Sequence, residues 1–230
     1  MLSALEWEAL SLSLKVACVA VGLSLIPGFA AAWWLARREF RGKALVDGLL
    51  HLPLVLPPVV VGYLLLVTFG RNGAIGQWLA KVDIVLPFTW QGAALAAAVM
   101  AFPLMVRAMR LSLEAIDPGL EAAARTLGAN PLRVLFTVTM PLALPGILTG
   151  GMLAFARALS EFGATITFAA NIPGETRTLP LALYTLIQTP GQEGAAARLC
   201  AIAVVIAMLS LLASEWLARR ARLRMEGRDA

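Results

Sequence analysis

Four stretches of this chain, residues 16–36, 48–70, 84–106 and 134–156, contain no Asp, Glu, Lys or Arg, and a fifth, 199–218, contains only Glu215. Each reaches the ~20 apolar residues that carry a helix across ~30 Å of hydrocarbon. Hydrocarbon offers no partners to backbone N–H and C=O groups, so such segments must satisfy them internally as helices. The pattern predicts an all-α integral membrane protein with five crossings. Hydrophobic residues make up 60% of the chain and charged residues 14%, too little polar surface to cover a soluble core. At 230 residues, the length fits a single transmembrane domain over residues 1–230.

The net charge of +5 raises the question of nucleic acid, but the placement of the charges answers it differently. Arg37, Arg38, Arg41 and Lys43 follow the first run, Arg107, Arg110, Arg125 and Arg133 flank the connection after the third, and Arg219, Arg220, Arg222, Arg224 and Arg228 follow the fifth. The opposite connections and the N-terminus hold only Lys15, Arg71, Lys81, Arg177 and Arg198. By the positive-inside rule the N-terminus lies outside and the C-terminus in the cytoplasm. The start is acidic (Glu6, Glu8) and its apolar run is longer than a signal-peptide core, so it reads as a retained first span. Cys18 and Cys200 fall in apolar runs and read as buried helix residues with no metal-ligand spacing.

Taken in order, the first span begins near Leu10, carries Pro27-Gly28 as a kink, and ends in an interfacial anchor of Trp33 and Trp34 beside Arg37 and Arg38. The second contains Pro53, Pro57 and Pro58, which no uninterrupted helix accommodates. Such a break is tolerated in a membrane where protein or a water-filled cavity covers it, which places Pro57 and Pro58 against neighbouring helices or a translocation path. Asp47 and His51, four residues apart, form an interfacial pair and are too few ligands for a metal. Gly70-Arg71-Asn72-Gly73 is turn chemistry opening an external connection. The third span runs from about 90 to 111 with an Ala-rich middle and Pro103. Gly146 and Gly150 place two small residues on one face of the fourth.

That fourth span is read from about 145 to 166, which puts Arg157 and Glu161 near its middle and on one face by their i,i+4 spacing. A lone charge there costs at least ~2.5–3.5 kcal/mol, so the two are expected to pair. With Ser160 and Thr165 they suit a hydroxylated path for a hydrated anion; a purely structural pair holding helices together remains the alternative. An external loop spans about 171–195, where Pro173-Gly174 and Pro190-Gly191 bracket a short amphipathic helix over 181–188.

Between the third and fourth spans, about 113–141, lies a polar, helix-favouring interruption. Glu121 to Arg125 are good helix formers, Gly128 supplies a left-handed stop, and Asn130-Pro131 caps and opens a second helix. The result is a compact helix–turn–helix knob outside the membrane. The spacing Glu121-Ala122-Ala123, Gly128, then Val138-Thr139-Met140-Pro141 resembles the cytoplasmic signature loop of ATP-binding-cassette importer permeases. Three further segments, from His51 to Gly62, from Arg157 to Thr167 and from Asn171 to Thr178, look like bacterial molybdate permeases, and the similarity covers nearly the whole chain.

The resemblance implies a type I importer permease fold with cytoplasmic coupling helices. It assigns ATPase coupling to Glu121, Ala122, Ala123, Gly128, Asn130, Pro131 and Pro141. The implied assembly is a homodimer in the bacterial cytoplasmic membrane with two cytoplasmic ATPase subunits and an external molybdate-binding protein. This chain would bind no cofactor, ATP and Mg residing on the ATPase. Sulfate, thiosulfate or tungstate permeases are the alternatives within the family. The sequence contains no G-x-x-x-x-G-K-[ST], H-E-x-x-H or G-x-S-x-G, and its single histidine suits a membrane hydrolase poorly. A membrane-embedded enzyme using Glu161 or His51 is thus the weaker rival, as is a structural or signalling subunit.

Overall fold

The computed structural model describes residues 3–225, and the regular elements among them are all helices. In chain order the helices are α1 Ala4–Arg37, α2 Lys43–Val55, α3 Pro58–Phe69, α4 Ala74–Ala80, α5 Trp90–Glu114, α6 Pro118–Thr126, and α7 Pro131–Val134. A π-helical segment, Leu135–Thr139, leads into α8 Met140–Leu159, followed by α9 Gly163–Ala169, α10 Leu179–Ile187 and α11 Glu193–Met225. Arg228 and the side chains of Arg222 and Arg224 lie outside the described residues.

Among the described residues four helices are long and apolar enough to cross a membrane, and α2 with α3, bent by 112° at the break between them, counts as a fifth if the pair is one span. The bend sits where the prolines require it. Pro57 occupies the break and Pro58 the first position of α3, where a missing N–H costs nothing, while Pro53 is accommodated inside α2. Helix α1 starts earlier than the expected Leu10, because Ser3 and Glu6 form a capping box: Glu6 N donates to Ser3 Oγ at 3.2 Å and Ser3 N to Glu6 Oε2 at 2.6 Å. It continues through Pro27.

The core is a three-helix pack of α1, α5 and α8, with α5 the most enclosed of the crossings. Lipid is as apolar as a leucine side chain, so helices here associate through close van der Waals fit and small residues rather than by escaping water. The buried faces comply, with Ala93, Ala94, Ala97, Ala98 and Ala101 of α5 meeting Ala17, Ala20 and Ala32 of α1 and Ala143 and Ala154 of α8. The expected Gly146 and Gly150 pair lies at the α5 contact: a Cβ on Gly146 would overlap Ser112 Cβ, and one on Gly150 would sit 3.0 Å from the Met105 carbonyl. A second cluster packs α3 and α9 beside α5, and a third joins the N-terminal end of α1 to α10 and α11.

Three expectations need correction. The fourth span ends at Leu159 rather than about 166, because Ser160 closes it and the chain restarts as α9. The short helix of the loop before α11 is Leu179–Ile187 rather than 181–188, with Leu179, Leu181 and Ala182 buried. Cys18 and Cys200 are exposed on the outer faces of α1 and α11 instead of buried; apolarity in a membrane chain marks lipid-facing and protein-facing positions alike. The connection after α3 also contains α4, a seven-residue helix too short to be read from sequence.

Gly146→Val should destabilise the detergent-solubilised protein by about 1–3 kcal/mol through overpacking against Ser112. Gly22→Ala, where an added Cβ meets nothing within 4 Å, should be neutral or raise stability by up to about 1 kcal/mol. Thermal unfolding followed by size-exclusion recovery checks both, and equal effects would contradict the tight α5–α8 contact.

Candidate functional site

The loop between α5 and α8 folds as the sequence pattern requires. Asp117 caps α6 by accepting from Gly119 N at 2.8 Å, and Pro118 takes the first helical position. Gly128 ends the helix at φ 85°, a conformation that penalises any residue with a Cβ. Asn130 Oδ1 then accepts from Arg133 N at 2.8 Å, and Pro131 starts α7. The outer surface of this knob sets exposed apolar residues, Leu120, Ala122, Ala123, Leu127, Leu132 and Phe136, beside exposed Arg125, Thr126, Asn130 and Arg133, with Leu127 88% exposed. Leu120, Leu127, Leu132 and Phe136 were not among the expected site residues. Pro141, at the start of α8, is also exposed.

Glu121 points the other way. Its residue is only 8% exposed, and Oε1 accepts from Arg37 Nη2 at 2.8 Å and from Thr139 Oγ1 at 2.9 Å. Arg125 lies farther off, 3.9 Å from Oε2. Glu121, expected among the ATPase-coupling residues, forms within this chain an internal node joining α6, the end of α1 and the π-helical segment. Arg37, expected in the interfacial anchor, is turned inward, while Trp34 stacks on Phe40 at 4.4 Å.

At the other end of α8, two interrupted helices meet. A Cβ on Gly163 would lie 2.7 Å from Pro58 Cβ, and one on Gly62 would lie 2.7 Å from the Ala164 carbonyl oxygen. The α2–α3 break and the α8–α9 break are therefore neighbours. Glu161 lies between α8 and α9, with its side chain 2% exposed. Oε2 is 2.6 Å from Arg157 Nη1 in the last turn of α8, and Oε1 accepts from Ala164 N at 2.8 Å. The pair forms as expected, but across a helix end rather than along one helix face. The carboxylate thereby satisfies an N–H that the restarting helix leaves without a helical partner. Arg157 retains 23% side-chain exposure, and Ser160 beside it is exposed. Pro57 is exposed, Pro58 half-buried, and Thr165 enclosed by protein.

Elsewhere, Arg110 Nη1 reaches Asp47 Oδ1 at 3.0 Å while its Nε donates to Glu114 at 2.7 Å, fastening α2 to α5. The Asp47–His51 pair thus has a third member that sequence spacing did not show; His51 Nδ1 is 2.8 Å from the Asp47 carbonyl. In the loop before α10, Arg177 Nε donates to Asn171 Oδ1 at 2.9 Å and Asn171 Nδ2 to Thr185 Oγ1 at 2.9 Å, tying the loop to α10. Arg198 of α11 reaches Glu6 at 3.0 Å. No group of three or more His, Cys, Asp or Glu among the described residues has the arrangement to hold a metal ion.

A family model described as the inner membrane component of binding-protein-dependent transport systems matches residues 28–223. The chain is 65% identical over 220 residues to the molybdenum transport system permease protein ModB of Escherichia coli K12, covering 95% of this chain and 96% of that protein. It is 58% identical over 217 residues to ModB of Haemophilus influenzae, covering 94% and 95%. Among solved structures, a bacterial alginate ABC transporter in complex with its alginate-bound periplasmic protein shares the fold with a TM-score of 0.74 at 15% identity, covering 95% of this chain and 80% of that one.

Removing one member of a buried ion pair costs about 3–5 kcal/mol, and the partial exposure of Arg157 lowers the figure here to about 2–3 kcal/mol. Glu161→Gln should lose that amount while keeping an acceptor for Ala164 N. Glu161→Ala should lose about 1 kcal/mol more with the cap. Thermal unfolding of the purified protein orders the three; equal stability of Gln and Ala variants would contradict the capping role.

Proposed function

This chain belongs to the inner membrane components of binding-protein-dependent transport systems, and from that premise we propose that it is the permease subunit through which an ATP-driven importer moves molybdate. The near-full-length relationship to molybdenum transport permeases carries the reading. The absence of a phosphate-cradling loop from the sequence agrees with hydrolysis on a partner. Two copies of the chain enclose the path, two ATPase subunits sit against the cytoplasmic knobs, and an external binding protein delivers the oxyanion. This chain itself binds no cofactor and catalyses no bond change.

The exposed apolar residues of the knob suit that ATPase contact. Ala122 and Ala123 allow close approach, Leu127, Leu132 and Phe136 supply area, and Gly128, Asn130 and Pro131 set the angle between the two short helices. Closure of the ATPase pair draws the knobs together and opens the path outward; hydrolysis restores the inward arrangement. The path passes the crossing of broken helices, where Arg157, Ser160, Pro57 and Pro58 are presented, with Glu161 and Thr165 supporting them from behind. Glu161 offsets the charge of Arg157, so the site attracts a dianion without trapping it.

Vesicles containing the assembled complex should take up labelled molybdate only with ATP, and tungstate should compete better than sulfate. Sulfate uptake exceeding molybdate uptake would move the substrate assignment to the sulfate permeases. In the same vesicles Gly128→Val, which forces a β-branched residue into φ 85°, should lower uptake per complex at least about tenfold with the protein still in the membrane.

The orientation we propose, N-terminus outside and C-terminus in the cytoplasm, rests on the distribution of basic residues. Cysteines introduced at Ser3, Asn72 and Glu175 should react with an impermeant reagent in intact cells, and one at Asn130 only after permeabilisation. Labelling of Asn130 from outside would reverse the topology.

A further inference from the structure

Of the knob's two helices, α7 runs without a break through the π-helical turn into α8, whereas α6 is attached to the rest of the molecule by little. Helix α6 packs on α7 and the π-helical segment, and makes few approaches to anything else. Its polar tie to the membrane helices is Glu121, whose Oε1 takes both Arg37 Nη2 at 2.8 Å and Thr139 Oγ1 at 2.9 Å. Arg37 comes from the last turn of α1, Thr139 from the end of the π-helical turn entering α8. The Arg37 side chain is 16% exposed and that of Glu121 11%, so water neither screens nor replaces the pair easily. The Trp34–Phe40 stack holds the chain leaving α1, and with it the position of Arg37. A π-helical turn carries one residue more than an α-helical turn, a local register that an α-helix can absorb or release, and such turns collect at functional sites.

We propose that Arg37 is a positioning residue of transport: through Glu121 it locks the knob to α1, while Thr139 locks it to α8, so that displacement of the knob moves both core helices together. This rests on the importer reading above. Arg37 touches neither the oxyanion nor the ATPase. Its effect is felt in how much transport each hydrolysis event yields, which a residue serving only stability would leave unchanged in correctly assembled complexes.

Two measurements decide it. In proteoliposomes holding equal amounts of assembled complex, ATP hydrolysed per molybdate imported is compared for wild type, Arg37→Ala, Glu121→Gln and the double variant. Arg37→Ala should raise the ratio at least about fivefold, and the double variant should stay within about twofold of the worse single variant, because one shared interaction is lost only once. An unchanged ratio, or effects that multiply, would overturn the proposal. Independently of any substrate, a spin label at Leu127→Cys in a Cys18→Ser/Cys200→Ser permease in nanodiscs reports the attachment of the knob. Arg37→Ala should shorten the label's rotational correlation time at least about twofold, since the buried pair is the polar tie that holds α6 to α1; identical spectra would overturn the tether. If wild-type complexes import no molybdate, the importer reading fails while the label still decides the tether. If Arg37→Ala does not assemble, Arg37→Lys, which keeps the charge but loses the planar fork, should change both readouts at least about twofold, and wild-type values would refute the role of Arg37.

Discussion

A carboxylate stripped of water must be matched by a charge and by hydrogen-bond donors, and three such groups hold this molecule together. Glu6, Glu121 and Glu161 are the buried acidic residues among those described, and each is met by an arginine: Arg198, Arg37 and Arg157. Two of the three partners come from remote elements, joining α1 to α11 and α6 to α1. The third spans the gap between α8 and α9. An unpaired charge in such surroundings costs several kcal/mol, so each pair selects one relative placement of its elements even where its net contribution to stability is small.

Between these pins the packing is set by the absence of side-chain bulk. With no hydrophobic gain to be had from lipid, helices close only where backbones approach, and α5 lies at the centre because its alanines allow approach on several sides. The glycines at the α5–α8 and α3–α9 contacts leave room for nothing larger than hydrogen, so these helices meet backbone against neighbour with no side chain between.

Helix α8, with the π-helical turn before it, connects the two sites. It begins at Thr139 against Glu121 and ends at Arg157 against Glu161. At ~1.5 Å per residue, that distance is about 27 Å along the axis. A stiff element anchored by a buried carboxylate at each end is a physical route by which displacement of the knob reaches the crossing of broken helices.

Much of this was legible in the chain itself. Charge-free runs define the spans because hydrocarbon admits only internally bonded backbone. Clustered prolines define the break, and Gly128, Asn130 and Pro131 define the knob, because φ and capping preferences act over a few residues. Even the early start of α1 was written in Ser3 and Glu6. What local rules did not reveal was direction. Glu121 could not be seen to turn inward, since Arg37 lies 84 positions away, nor Arg110 to complete the Asp47 pair. Span four ends at Leu159 because Ser160 closes it and Glu161 caps a new helix packed against Pro58, whereas apolar composition alone permits continuation. Lipid-facing and protein-facing residues share one composition, so Cys18 and Cys200 were indistinguishable from core. The sequence by itself determined the membrane-spanning helical runs, the proline break and the turn of the knob, because backbone satisfaction and dihedral preference are local. Only the tertiary structure decided which charge meets which, because ion pairing depends on distances in space that separation along the chain does not encode.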